Sequence, residues 1–281
     1  MTPQDPTIEL VELADGTLTH VRWWRPARPR GAVLYFHGIQ SHGGWYEESG
    51  RRLAAAGFAV LMPDRRGSGL NAPPKGHFSS LDQCLEDNLH LLNVLKSDVG
   101  ATDAHLLGVS WGGKQAVQLA QDAPESVKTV TLVGPGLFPR IDLTMMEKFR
   151  VGISMMNDRE RLHDIPLNDA AYFTENPERI DFVNRDSLKL LQVSAAFLLT
   201  SRRLDKHIRT FHQAAFRSPM HLMLAGRDRI IDNERTKAWF RSLPSPDRRV
   251  TEYPEGGHTL EFERHADPFF EDMVNWIVER A

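Results

Sequence analysis

The segment Gly108-Val-Ser110-Trp-Gly112 has the spacing G-x-S-x-G. It follows the apolar run 105–109 and opens a segment of helical periodicity at 111–121. Such a strand-to-helix turn holds the serine in a strained backbone conformation with its hydroxyl exposed, and bare flanking positions let strand and helix approach each other. We therefore predict that Ser110 is the nucleophile of an acyl-transfer reaction. The alternative interpretation is a purely structural turn.

A serine hydroxyl needs a neighbouring general base, because it is a weak nucleophile at neutral pH. With G-x-S-x-G turns the partners follow in the chain order serine, acid, histidine. The histidines after Ser110 are His163, His207, His212, His221, His258 and His265. His258 is the predicted base because it follows the last strand, in the loop Glu255-Gly-Gly-His-Thr259. Three others lie in an insertion and one in a strand, and His265 is the alternative nearer to the final helix.

The carboxylate that orients the base should follow the preceding strand, in Met223-Leu-Ala-Gly-Arg-Asp228-Arg-Ile-Ile-Asp232. Asp228 is favoured because it comes directly after the strand-ending Gly226. Asp232 remains the alternative, although its place before Asn233 also suits the start of a helix.

The tetrahedral intermediate of acyl transfer needs hydrogen-bond donors for its oxygen. One is normally the amide after the nucleophile and the other an amide in the loop after the third strand. We predict the backbone N–H groups of Trp111 and Ile39 in these roles. The His37-Gly38 pair ends that strand, and we interpret His37 as structural because it precedes the acid in the sequence.

Short apolar runs alternate with helical segments along the chain, which is typical of a mostly parallel sheet with helices on both faces. The predicted strands are 8–12, 19–24, 31–36, 58–62, 105–109, 127–133, 220–225 and 249–253. The strand rhythm stops between Leu137 and Ser218. There, Met146, Phe149, Ile153 and Met156 fall at helical spacing, as do Leu188, Leu191, Ala195 and Leu198.

We therefore predict an α/β fold with an eight-stranded sheet. Its core comprises residues 1–136 and 219–281, and residues 137–218 form a helical cap inserted after the sixth strand. The loop Pro63-Asp-Arg-Arg-Gly-Ser-Gly69 is interpreted as a scaffold turn, because a phosphate cradle needs a different glycine spacing.

The composition narrows the function classes. The chain has 281 residues, 41% of them hydrophobic, and a formal charge of −3, so we expect no nucleic-acid partner. The first ten residues lack the basic and apolar regions of a signal peptide, and no apolar stretch approaches the roughly 18 residues of a membrane span. The one cysteine, Cys84, lies on the apolar face of a predicted helix, so we expect it to pack in the core and to have no chemical role. With no C-x-x-C or H-E-x-x-H spacing, we predict a cytoplasmic protein without metal or other cofactor.

Four motifs together resemble those of one known family. They are His37-Gly-Ile-Gln-Ser-His-Gly-Gly-Trp-Tyr46, Pro63-Asp-Arg-Arg-Gly-Ser-Gly69, Gly108-Val-Ser-Trp-Gly-Gly113 and Gly226-Arg-Asp-Arg-Ile-Ile-Asp232. The chain is similar to the monoacylglycerol lipase and lysophospholipase branch of the α/β-hydrolases, also called the serine aminopeptidase S33 group. The resemblance runs from Gly31 to the final helix, and the insertion matches in position and in Phe173-Thr-Glu-Asn-Pro177.

This resemblance implies the same triad, Ser110, Asp228 and His258, with oxyanion amides at Ile39 and Trp111 and the cap at 137–218. The chain departs from the branch in two places. Ser41 precedes His42 where an acidic residue is usual, and Trp111 stands where methionine is common. Both positions lie near the acyl pocket, so the substrate is not carried over.

The predicted function is hydrolysis of carboxylic esters with apolar, lipid-like acyl chains, of monoacylglycerol or lysophospholipid type, through an acyl-enzyme on Ser110. The partner is a small-molecule acyl substrate. Peripheral membrane contact of the cap is compatible with this, although no basic amphipathic helix requires it. An amidase, a thioesterase, a carbon–carbon bond hydrolase and a non-catalytic binding protein of the same fold stay open as alternatives, as does the oligomeric state.

Overall fold

The computed structural model describes residues 5–210 and 217–281. Its strands are β1 Thr7–Glu12, β2 Leu18–Trp24, β3 Ala32–Phe36, β4 Ala59–Pro63, β5 Ala104–Val109, β6 Val127–Val133, β7 Leu162–Asp164, β8 Gln192–Ser194, β9 Met220–Ala225 and β10 Arg248–Tyr253. Eight of them form one sheet in the order β1-β2-β4-β3-β5-β6-β9-β10. Strand β2 is antiparallel to β1 and β4, and every other neighbouring pair is parallel.

The helices that connect and cover these strands are α1 Glu47–Ala55, α2 Leu81–Val99, α3 Trp111–Asp122, α4 Met145–Asn157, α5 Pro177–Arg185, α6 Ala195–Thr210, α7 Asn233–Ser242 and α8 Asp267–Val278. Helix α2 begins after Ser80, whose hydroxyl accepts a hydrogen bond from the amide of Gln83. Helix α8 has Pro268 in its first turn, where the missing N–H costs nothing.

The central strands are buried along their whole length. Every residue of β3, β4, β5 and β9 is buried, which requires helices on both faces of the sheet. Cys84 is buried in this core, as expected from its apolar helix face. The eight-stranded, mostly parallel sheet predicted from the sequence is confirmed.

The segment between β6 and β9 leaves the sheet, and it is less regular than its periodicity suggests. It contains helices α4, α5 and α6, but also the short antiparallel pair β7–β8. The helix expected to run through Leu188 and Leu191 begins only at Ala195, so the first part of that prediction is wrong. Here the backbone forms hydrogen bonds with other segments instead of a helix. The amide of Leu190 donates to the carbonyl of Gln40, and the carbonyl of Leu191 accepts from the amide of Ile165.

The turn after β4 is fixed to two other parts of the core by one buried carboxylate. Asp64 accepts hydrogen bonds from the Arg22 guanidinium at 3.0 Å and from the amides of Gly43 and Leu70 at 2.8 Å each. Its side chain is fully buried, and that of Arg22 is 5% exposed. Since Gly43 lies in the loop that follows β3, this carboxylate ties that loop to the sheet.

We expect Asp64→Asn to lower the free energy of unfolding by about 3 kcal/mol, because it leaves a buried guanidinium short of its counter-charge. Denaturant unfolding followed by circular dichroism measures this loss. Asp98→Asn is the matched control. That carboxylate meets Arg25 at 3.2 Å on the surface, where both side chains are more than a third exposed, so the substitution should cost less than about 1 kcal/mol. Equal losses in the two variants would contradict the expectation.

Candidate active site

Four of the predicted site residues follow the carboxyl ends of sheet strands. Ile39 comes after β3, Ser110 after β5, Asp228 after β9 and His258 after β10. These strands are parallel, so their carboxyl ends lie along one edge of the sheet. Loops at this edge are the usual position of a site in an α/β sheet.

Ser110 occupies a strained turn between β5 and α3. Its φ of 52° and ψ of −119° make it the one non-glycine residue with positive φ in the part of the chain that the structure describes. Its amide donates to Val133, and its carbonyl accepts from the amides of Gly113 and Gly136. Strain of this kind persists only where the surroundings over-determine the backbone.

The two motif glycines are required by close backbone contacts. A Cβ atom on Gly108 would lie 2.5 Å from the carbonyl oxygen of Gly112, and one on Gly112 would overlap the backbone of Phe36. Strand β5 and helix α3 therefore approach each other more closely than any side chain allows.

The structure brings Asp228 and His258 into direct contact. The imidazole Nδ1 lies 2.8 Å from the carboxylate Oδ2, and both side chains are buried. The other carboxylate oxygen accepts from the amides of Ile230 and Ile231 at 2.8 and 2.9 Å. With Nδ1–H donating to Asp228, the Nε2 atom is left as an acceptor. Within the described ranges this buried Nε2 has no hydrogen-bond partner.

The alternative acid and base lie in other surroundings. Asp232 caps helix α7 by accepting from the amide of Arg235 at 3.1 Å. His265 is exposed beyond the loop that carries His258.

Two of the remaining histidines have hydrogen-bond partners of their own. His163 contacts Ser154, and His221 contacts Thr251 inside the sheet. His207 lies 3.6 Å from Asp122, and His212 is outside the described residues.

The predicted oxyanion amides belong to Ile39 and Trp111. Trp111 is the first residue of α3, so its N–H has no acceptor within the helix. Beneath both residues lies the buried Arg65, which donates to the carbonyls of Gly38 and Ile39 at 3.0 and 2.9 Å. Its guanidinium also stacks 4.8 Å from the centre of a Trp111 ring. Arg65 therefore contacts both residues that carry the predicted amides, although the sequence indicated only a scaffold loop here.

His37 holds the same loop from the other side. Its Nε2 accepts from the amide of Arg65 at 2.9 Å, and its Nδ1 lies 2.8 Å from the carbonyl of Gly38. Burial lowers the pKa of His37 well below its usual value, so the ring is neutral. These contacts agree with the structural interpretation of His37.

Ser110 opens into a cavity of about 580 Å³. Ile39 and Trp111 also line it, and its opposite wall consists of residues from the segment between β6 and β9, including Ile141, Val151, Ile165 and Leu198. The volume lies in the range of small-molecule binding sites. Ser110 and the two residues predicted to supply the oxyanion amides therefore border the same cavity.

Two polar residues of this segment, Asp186 and Ser201, make contacts with the core that were not evident in the sequence. Asp186 accepts from the Trp45 indole at 2.7 Å, and one of its oxygens lies 3.1 Å from His42 Nε2. Burial alone would raise the pKa of Asp186, but these partners hold it down at about 2. On the other side of the site, the Ser201 hydroxyl accepts from the Trp111 indole at 2.9 Å. Long-range pairs such as these leave no local pattern in the chain.

Two kinds of feature are absent from residues 5–210 and 217–281. No group of three or more His, Cys, Asp and Glu side chains is arranged to hold a metal ion there. No helix in the same ranges combines the length and apolar character needed to cross a membrane.

The sequence of this chain matches that of one known protein family over most of its length. Residues 27–265 match the model of the family described as serine aminopeptidase, S33, which is most of the chain. The chain belongs to the serine aminopeptidase S33 family. It is accordingly a serine hydrolase, as its sequence predicted.

Relatives of this S33 hydrolase cover nearly all of it. It is 24% identical to the monoacylglycerol lipase of Mycolicibacterium smegmatis over 265 residues, which are 91% of each chain. It is also 24% identical to the human monoglyceride lipase, over 100% of this chain and 94% of that protein. A structure of a soluble variant of the Saccharomyces cerevisiae monoglyceride lipase superimposes with a TM-score of 0.86 at 18% identity, covering 100% and 97% of the two chains. The α/β-hydrolase fold is therefore shared throughout.

The loop that carries His258 in this S33 hydrolase is anchored by a buried carboxyl group. Glu261 contacts the amide of Ser49 at 3.1 Å and its hydroxyl at 2.5 Å, which ties the loop to α1. Burial raises the pKa of Glu261 to about 7, although the contacts with Ser49 work in the opposite direction. The folded protein therefore favours the neutral carboxyl group.

Stability should consequently fall as pH rises through this range. The carboxyl group loses its proton near pH 4.5 when unfolded and near pH 7 when folded, so the native state holds the extra proton between these values. The contribution is complete below pH 4.5 and declines by about 3 kcal/mol on the way to pH 7. Denaturant unfolding of wild type and Glu261→Gln across this window measures it. The same slope in both proteins would show that Glu261 is not responsible.

Proposed function

We propose that this protein hydrolyses carboxylic esters through a triad of Ser110, His258 and Asp228. The observation that carries the proposal is the buried contact between His258 and Asp228, made at the sheet edge where Ser110 is exposed to a cavity. The unpartnered Nε2 of His258 supports its role as the base. The capping contact of Asp232 supports the choice of Asp228 as the acid.

The reaction takes place in two halves. His258 Nε2 accepts the proton of the Ser110 hydroxyl while Oγ bonds to the ester carbonyl carbon. The amides of Ile39 and Trp111 donate to the resulting oxyanion. The carbon–oxygen bond then breaks, and the alcohol leaves with the proton that His258 returns to it. A water molecule releases the acid from the acyl-enzyme by the same route.

The proposed substrates are esters with apolar, lipid-like acyl chains. The apolar wall of the cavity, with Ile141, Val151 and Leu198, supports this chemistry because it removes hydrocarbon from water. The relatives named as monoacylglycerol and monoglyceride lipases support it as well. The C-terminal part of the segment between β6 and β9 contributes further apolar lining at Leu199.

We also propose that residues 137–218 act as a cap over the core formed by 1–136 and 219–281. Helix α4 supports this division because its two sides differ in their contacts. Val151, Gly152 and Met155 line the cavity. The opposite side carries the exposed residues Met145, Met146, Phe149, Ile153 and Met156. An exposed apolar side of this kind supports peripheral contact of the cap with a lipid surface.

A fluorophosphonate probe tests the nucleophile. The wild-type protein should be labelled at Ser110, because the hydroxyl is activated and open to the cavity, and Ser110→Ala should not be labelled. Mass spectrometry of the labelled peptide locates the adduct. A folded wild type that resists the probe would favour a binding protein over an enzyme.

Turnover measurements on the same two proteins then show which type of bond is cleaved. Aryl esters of graded chain length, monoacylglycerols and the matching amides and thioesters are assayed with wild type and Ser110→Ala. Faster cleavage of the longer esters, abolished in the variant, is expected. Preferential cleavage of amides or thioesters would replace the ester assignment.

The choice of acid is tested separately. Asp228→Asn should lower kcat by roughly 10⁴-fold, because the amide favours the wrong imidazole tautomer. Asp232→Asn is the matched control and should leave kcat nearly unchanged, since asparagine caps a helix about as well as aspartate. Steady-state kinetics on one aryl ester compares the two. A large loss for the control alone would transfer the role to Asp232.

A further inference from the structure

The cavity beside Ser110 is positively charged despite its apolar wall. Its charged lining residues are the basic Lys114, Lys148, Arg202, Arg209 and Arg235 and the acidic Asp142 and Asp205. Five basic and two acidic side chains leave a formal excess of three positive charges. The chain as a whole has a net charge of −3, so this excess is local to the cavity.

Both acidic groups are already paired with lysines. Asp205 lies 2.7 Å from the ammonium of Lys114, and Asp142 lies 2.6 Å from that of Lys148. Burial lowers the pKa of Lys114 in spite of Asp205, and the charges of Arg202 and Arg209 lower it further. The two lysines and two carboxylates therefore neutralise each other, and the excess charge belongs to the arginines.

The three arginines form no salt bridge with the cavity carboxylates, although the charge of Arg202 also acts on Asp142. None of them has an acidic group within salt-bridge distance in the described ranges, and residues 1–4 and 211–216 contain no Asp or Glu. Among the described residues, the Arg209 side chain donates one hydrogen bond, to the carbonyl of Leu137 at 2.6 Å. Arg209 and Arg235 stack against Phe138, at 4.8 and 5.0 Å from its ring centre.

Two of the arginines, Arg209 and Arg235, meet at Phe138 from different helices, and Arg202 lines the same cavity farther along α6. Arg202 and Arg209 are seven residues apart on α6, so they lie on the same face, separated by roughly 10 Å along the helix axis. Arg235 approaches Phe138 from α7 of the core. A small anion beside Phe138 would thus meet guanidinium groups of both the cap and the core.

We propose that Arg202, Arg209 and Arg235 form an anion-binding subsite in the Ser110 cavity, and that the preferred ester carries a carboxylate or phosphate group as well as its apolar chain. This inference rests on the proposed ester hydrolysis and narrows its substrate class. Guanidinium groups suit the task because they bind both anions through paired hydrogen bonds.

The anion has two chemical sources. A carboxylate at the far end of the acyl chain places it on the acid side of the scissile ester. A phosphate on the alcohol places it on the leaving group. Matched substrate pairs distinguish them, since each pair differs in the charged group and keeps the acyl chain length.

The first pair is the 4-nitrophenyl half-ester of suberic acid and 4-nitrophenyl octanoate, followed by release of nitrophenolate. The second pair is oleoyl lysophosphatidic acid and monooleoylglycerol, followed by release of oleate. We expect the anionic member of one pair to have a kcat/KM at least about tenfold higher, the effect of one charged hydrogen bond. Added salt should reduce this ratio. The pair that shows the preference identifies the source.

Single substitutions test whether the cavity arginines cause the preference for the anionic substrate. Arg209→Gln and Arg202→Gln should each lower the anionic-to-neutral ratio about tenfold. Arg202 donates no hydrogen bond in the part of the chain that the structure describes, so its replacement should not disturb folding. Arg28→Gln is the matched control, because Arg28 is exposed in the loop before β3, at the opposite end of that strand from the site.

The outcomes separate this inference from the proposed function. No preference in either pair, or the same ratio in the cavity variants and in Arg28→Gln, overturns the subsite. Ser110-dependent hydrolysis of the neutral esters would leave the proposed function intact in that case. If neither pair is hydrolysed and the fluorophosphonate probe does not react, ester hydrolysis itself fails, and the subsite proposal fails with it.

Discussion

A serine with a φ of 52° costs roughly 1–3 kcal/mol in backbone strain, and three backbone hydrogen bonds hold Ser110 there. The same turn sets the contacts of α3 with β5 and with the end of β3, where Gly108 and Gly112 respectively leave no room for a Cβ atom. Everything proposed for the site depends on this turn. It exposes the hydroxyl to the cavity and leaves the Trp111 amide free at the first position of the helix.

The core of the site could be predicted from the sequence because its determinants are local. Glycine spacing, strand ends and chain order are all visible in consecutive residues, and they predict Ser110, Asp228 and His258 as the triad. Sequence position alone does not separate Asp228 from Asp232, because both follow the same strand. It depends on where two carboxylates four residues apart point, and in the structure one contacts His258 while the other caps α7.

The segment between β6 and β9 was harder to predict for a physical reason. Its conformation depends on partners far along the chain, such as the carbonyl of Gln40 that accepts from Leu190. Apolar spacing through Leu188 and Leu191 therefore indicated a helix that does not form. The cluster of positive charges in the cavity could not be predicted from the sequence for the same reason. Arg209 and Arg235 belong to different helices and meet only at Phe138.

The proposed catalytic groups and much of the cavity wall come from different parts of the chain, and this has an evolutionary consequence. The proposed triad and both oxyanion amides lie on turns that the sheet fixes, while much of the cavity wall comes from one continuous segment between β6 and β9. Mutations in that segment can reshape which molecules are admitted without moving the groups that break the bond. A new preference can therefore arise by small steps, or by exchange of the whole segment, while the chemistry is inherited unchanged.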